Sequence, residues 1–144
     1  MIGLILSFAL LQDPRPVEDT EVGRALYMKR CFWCHGEQGH GDGPSAVGMF
    51  PRPRDFVRAD YKIRSTAHGR LPTDEDLLRL ITRGVPGTPM PAWEKILTPH
   101  ERWQLVYFLK SLSPRFKTEK REPIAVPPNQ ASVERGKELY RGAR

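Results

Sequence analysis

Cys31-Phe32-Trp33-Cys34-His35 is the segment that most limits what this chain can become. The sequence has two cysteines and both are here, three positions apart, so they close no loop of the size that makes a disulfide a useful staple. Their chemistry must be local, which leaves a haem attachment site, a redox dithiol or half of a zinc site. A dithiol of this spacing wants a βαβ setting, and no alternating run of β-branched residues long enough for a strand occurs. A structural zinc site wants four ligands. Beyond the cysteines only His35, His40, His68 and His100 remain, without the paired spacing of a finger. A histidine directly after the second cysteine is the signature of c-type haem attachment. Two sulfurs at the end of a helix meet one edge of a porphyrin, and the adjacent His35 reaches the iron from the same side.

The surrounding pattern is helical. Asp19 or Thr20 can cap a helix over residues 21–30, with an acid in its first turn and Lys29 and Arg30 in its last, and this helix runs straight into Cys31. Residues 36–53 hold five glycines and three prolines and should wrap as a loop. Thr73 caps a second helix that carries Asp74, Glu75 and Asp76 in its first turn, Leu77, Leu80 and Ile81 on one face, and Gly84 as its stop. Residues 85–91 contain three prolines and a methionine and must be extended or turned. A third helix opens at Thr98-Pro99-His100-Glu101, a capping box with proline at its first position. It runs to about Leu112, with Leu105, Phe108, Leu109 and Leu112 on one face, and ends at Ser113-Pro114. The expected class is all-α, three or more helices and long loops around one covalent haem. So few helices make a thin core, and a buried flat cofactor supplies the missing apolar contacts.

The ligand opposite His35 decides whether the iron is closed or open to gases and peroxide. Of four methionines, Met1 is terminal, Met28 lies on the helix entering the motif and Met49 sits in the loop as a reserve candidate. Met90 lies between Pro89 and Pro91, which stiffen the backbone and remove amide donors, so its thioether can be presented from a rigid strap. On the near side, the second ring nitrogen of His35 should donate to a backbone carbonyl, and Pro44, in the glycine-rich turn, is the candidate.

The order helix, CxxCH, glycine-rich loop, short helix, Gly84-Val85-Pro86-Gly87-Thr88-Pro89-Met90-Pro91 and final amphipathic helix resembles the class I cytochrome c family over residues from about 20 to 113. The resemblance implies that family's fold, with terminal helices crossing near Gly23 and Tyr27 against Phe108. It implies thioethers at Cys31 and Cys34, proximal His35, distal Met90, and a carbonyl contact to the proximal histidine from Pro44. The run Phe50-Pro51-Arg52-Pro53-Arg54-Asp55-Phe56 lies outside the minimal family pattern. Arg52 and Arg54 in it are candidates to pair with haem propionates, because a guanidinium fork matches a carboxylate; two solvated loop arginines are the alternative. Trp93 is a candidate to pack on the haem edge. Trp33 should lie partly exposed beside the attachment edge.

Residues 1–17 form a signal-like apolar segment, whose run of ten apolar positions is half the roughly 20 a bilayer-spanning helix needs, followed by a proline-containing linker. The cytochrome domain is expected over 18–113 and a Pro- and charge-rich linker over 114–130. In 131–144, Gly136-Lys137-Glu138-Leu139-Tyr140 repeats the pattern of Gly23-Arg24-Ala25-Leu26-Tyr27, as the start of a second haem domain or as an amphipathic tail. With 23 Lys plus Arg against 17 Asp plus Glu, scattered rather than clustered, the chain suits an acidic redox partner better than nucleic acid. The expected function is single-electron transfer in a respiratory or oxidoreductase chain, outside the cytoplasm and with membrane association open. The alternatives are a subunit of a larger dehydrogenase, reductase or dihaem peroxidase, and a haem-based sensor.

Overall fold

The first helix, α1 (Thr20–Arg30), starts where Asp19 turns its carboxylate onto the amides of Glu21 and Val22, at 3.1 Å each. A computed structural model describes the chain over residues 15–125, together with Lys137, Glu138 and Arg141. After α1 come a one-turn helix, α2 (Phe32–His35), then α3 (Asp74–Arg83), α4 (Pro99–Ser111) and a short α5 (Arg115–Thr118), with a 3-10 turn at Pro44–Ala46. No strand occurs among the described residues, and an isolated bridge joins Thr66 to Pro123. The chain is all-α, as its patterning requires.

Helix α1 crosses α4, and Gly23 makes the approach possible. A β-carbon on Gly23 would lie 2.2 Å from the Gln104 carbonyl oxygen and 2.8 Å from Cβ of Phe108. One turn on, Tyr27 is fully buried with its ring centre 5.0 Å from that of Phe108. Buried Gln104 also straps the segment before α1 to the crossing: its carbonyl accepts from the Asp19 amide at 2.8 Å and its NH2 donates to the Val17 carbonyl at 2.9 Å. Both Thr73 and Thr98 head reciprocal capping boxes, with Asp76 and Glu101.

The chain beyond Pro114 departs from the expected linker. Phe116 is buried. Arg115 pairs with Glu119 at 2.5 Å and donates to the carbonyls of Ala59 and Gly69, each at 3.2 Å. Arg121 reaches the Asp74 carboxylate, and the Ile124 amide donates to the Ser65 carbonyl at 2.9 Å. Alternating charge reads as solvated when its partners cannot be seen; here they include loop carbonyls and the carboxylates of Asp60 and Asp74, far away in sequence. The repeat at 136–140 falls mostly outside the described residues.

Asp74, at the start of α3, receives Lys110 at 2.8 Å as well as Arg121. Burial alone would raise its carboxyl, but the hydrogen bonds from Arg121 and Lys110 outweigh it and hold the pKa below the ordinary value. A carboxyl depressed in the folded state contributes stability that is complete above its unfolded pKa of about 3.9 and fades as pH falls through the folded value. Asp74→Asn should therefore cost about 2 to 3 kcal/mol at pH 7, the low end for a buried pair because Lys110 and Arg121 each keep 20% of the side chain in solvent. Denaturant melts across pH should show the gap to wild type narrowing below about pH 4. Gly23→Ala should cost about 2 to 3 kcal/mol by the same measurement, because the new methyl meets backbone and not a movable side-chain tip.

Candidate haem site

Helix α1 hands the chain to the motif without a break. The Cys31 amide donates to the Tyr27 carbonyl at 2.8 Å, and the amides of Cys34 and His35 close the next turn onto the Cys31 carbonyl at 3.2 and 2.9 Å. Three residues apart in helical geometry, Cys31 and Cys34 fall on one side of the turn. Both are partly buried. The Tyr27 hydroxyl donates to the Gly36 carbonyl at 2.7 Å and ties the end of the motif back to α1.

His35 is buried, and its Nδ1 lies 3.0 Å from the carbonyl oxygen of Arg54. A carbonyl only accepts, so Nδ1 carries the proton and, in the neutral ring, Nε2 carries the lone pair. Burial is the main reason the imidazole is held neutral, its pKa lying below the ordinary value; the Arg54 carbonyl offsets this in part, and the nearby Arg54 charge adds to it. The ring of Phe56 stacks on the imidazole at 4.4 Å between centres. The acceptor is thus Arg54 and not Pro44. Pro44 opens the exposed 3-10 turn, whereas the Phe56 amide donates to the Gly39 carbonyl at 2.7 Å, which draws residues 53–56 across the back of His35.

Met90 and His35 line one cleft, together with Cys31, Phe56, Ile81, Trp93, Leu105 and Leu109. Its strap is stapled from within: the Val85 amide donates to the Met90 carbonyl at 3.1 Å, and the Met90 amide donates to Thr88 Oγ1 at 3.2 Å. Gly84 at φ +66° lets the strap close, since a β-carbon there would sit 2.7 Å from the Met90 carbonyl oxygen. Cys31 in the lining with Cys34 one turn on, an imidazole with a free Nε2, a thioether in the same cleft and apolar walls are the donor set of a covalently held haem. No group of three or more His, Cys, Asp or Glu side chains able to hold a bare metal ion occurs among the described residues.

The family described as cytochrome c oxidase, cbb3-type, subunit III matches residues 18–109. The chain belongs to that family. It is a class I c-type cytochrome and binds haem c covalently. A solved assembly, the Kuenenia stuttgartiensis reducing HAO-like protein complex Kustc0457/Kustc0458, contains a chain 41% identical to this cytochrome, with a TM-score of 0.74. The match covers 89% of this chain and 60% of that one, so the cytochrome spans about three-fifths of its relative's length. The KustC0563 c-type cytochrome is 27% identical over 63% of this chain and 96% of its own, with a TM-score of 0.47.

The remaining candidate residues divide. Trp93 stands in the cleft wall, its amide donating to the Ile81 carbonyl at the end of α3 at 3.1 Å. Trp33 is 56% exposed and edge-on to Phe32. Arg52 and Arg54 do not line the cleft of the cytochrome. They line a second groove, with Arg58, Tyr61, Lys62 and Arg64, and Arg54 donates to the Asp60 carbonyl at 2.7 Å. Phe56 went unforeseen as a site residue, its signal being an aromatic that closes a proline-rich run. Phe56→Ala should lower the unfolding free energy of the holoprotein by about 3 to 4 kcal/mol, read by denaturant titration of the haem absorption, since it empties core volume and frees the imidazole face.

Proposed function

We propose that this cytochrome is a one-electron carrier whose haem is tethered by thioethers at Cys31 and Cys34 and whose iron is closed by His35 and Met90. The placement of His35 and Met90 in the lining of one cleft carries the reading. When bound, the haem supplies an iron that alternates between ferrous and ferric states. The chain's own residues set the conditions. The Arg54 carbonyl accepts a hydrogen bond from the Nδ1–H and so fixes the tautomer and orientation of His35, while Phe56 limits its rotation. Thr88 and Val85 hold Met90 in place, and a thioether ligand favours a relatively high potential. Leu105, Leu109 and Ile81 exclude water. A closed iron with apolar walls suits electron transfer and leaves no position for substrate or gas, which argues against an enzyme and against a sensor.

A second reading, a cytochrome subunit of a larger oxidoreductase, is supported by the likeness to a chain of the HAO-like complex. Partners are then other redox proteins, met outside the cytoplasm, where c-type haem is attached. Residues 1–17 fit export to that compartment, and no helix among the described residues is long and apolar enough to cross a membrane. Wild-type ferric protein should show the weak far-red absorption band of sulfur ligation, and Met90→Ala should lose it while keeping its covalent haem. Absence of the band from the wild type would refute the closed iron. Co-purification with a catalytic protein, at fixed stoichiometry, would favour the subunit reading over the free carrier.

A further inference from the structure

We propose that the groove between residues 51–60 and 61–70 is a docking site for an acidic segment of a redox partner protein, an inference that rests on the carrier reading and supplies its partner surface. The groove measures about 580 Å³ and is lined by six cationic side chains, Arg52, Arg54, Arg58, Lys62, Arg64 and Arg70, against two carboxylates, Asp55 and Asp60. Both carboxylates are already engaged. Asp55 Oδ1 accepts the amides of Val57 and Arg58, each at 2.9 Å, and its Oδ2 lies 3.7 Å from His40. Asp60 pairs with Arg58 at 3.1 Å and with Arg115 at 3.7 Å.

The cations, by contrast, are largely unneutralised. Arg54 and Arg64 are steadied by main-chain carbonyls: Arg54 by Asp60, Arg64 by Ala67 at 3.0 Å and by Tyr61. These acceptors orient the guanidinium without cancelling its charge. Arg52 and Lys62 make no side-chain hydrogen bond or ion pair among the described residues. Tyr61, itself 8% exposed, lies in the same wall with a buried hydroxyl that has no partner among the described residues.

Size and position select the occupant. A single oxyanion fills little of a groove whose volume far exceeds the roughly 30 Å³ share of one water, and would leave most of the cations unpaired. A chain segment carrying several carboxylates pairs with many of them, and arginine suits such recognition. The cofactor's own carboxylates are the rival occupant. The groove, however, shares no lining residue with the cleft that His35 and Met90 line, and meets that site through Arg54, whose carbonyl accepts from His35 Nδ1.

The test uses the holoprotein and a hexaglutamate peptide, titrated by calorimetry at several ionic strengths, with inorganic phosphate as the small-anion control at matched ionic strength. The peptide should bind more weakly as salt rises. The pair Arg52→Glu/Lys62→Glu should weaken it about tenfold or more, and Arg24→Glu/Lys95→Glu, the same charge change at exposed positions outside the groove, about twofold or less. Equal weakening by the two pairs would reduce the effect to net charge and overturn the proposal, as would no peptide binding to the wild type. Displacement of the peptide by phosphate at matched ionic strength would mark a small-oxyanion site and also overturn it. A shifted midpoint potential in Arg52→Glu/Lys62→Glu with peptide binding unchanged would assign the groove to the haem carboxylates instead. The far-red band, read on the same samples, reports Met90 ligation separately, so failure of the carrier reading and failure of the docking site are distinguishable.

Discussion

The close crossing of α1 and α4 at Gly23 is the contact on which the site depends. It lets Tyr27 pack against Phe108, and Tyr27 in turn holds the Gly36 carbonyl just past the CxxCH turn. The same two helices both supply the cleft, since α1 is capped by Cys31 while α4 contributes Leu105 and Leu109. A shift in the crossing would move thiols, proximal histidine and cleft wall relative to one another. The Gln104 bonds to Asp19 and Val17 stiffen this joint from the outside.

The two ligand segments are built by different means. His35 gains its orientation from distant chain: a carbonyl nineteen positions away and an aromatic ring beyond it, both within the extended loop. Met90 gains its own locally, through Thr88, Val85 and the flanking prolines, and through a glycine that lets the strap turn back on α3. On the proposed ligation, local rigidity on one side and tertiary buttressing on the other would give His35 and Met90 little freedom to reorganise when the iron changes charge. Small reorganisation is what a carrier needs.

Legibility in the sequence followed the range of the interactions. Thr73 and Thr98 announced their helices because a capping box is complete within four residues, and Gly84 announced a stop for the same reason. Cys31, Cys34 and His35 carry their signal in their spacing alone. Pro44 was wrong as the acceptor for His35 because a proline-rich run has no periodicity from which to read which carbonyl turns inward; the Phe56–Gly39 bond decides it. Residues 115–124 read as solvated linker because Arg115 binds loop carbonyls and Arg121 a carboxylate 47 positions back. The groove arginines were visible individually, but their grouping around one cavity depends on how two loops fold beside each other.

The central claim is that His35 and Met90 close the iron together. Proton NMR of the reduced holoprotein tests it most directly, because a methionine methyl bound to haem iron lies over the ring and is shifted far upfield. The account requires a single three-proton resonance in that region, assigned to Met90 by its loss in Met90→Ala. A Met90 methyl at an ordinary aliphatic position in the folded, reduced protein would contradict it.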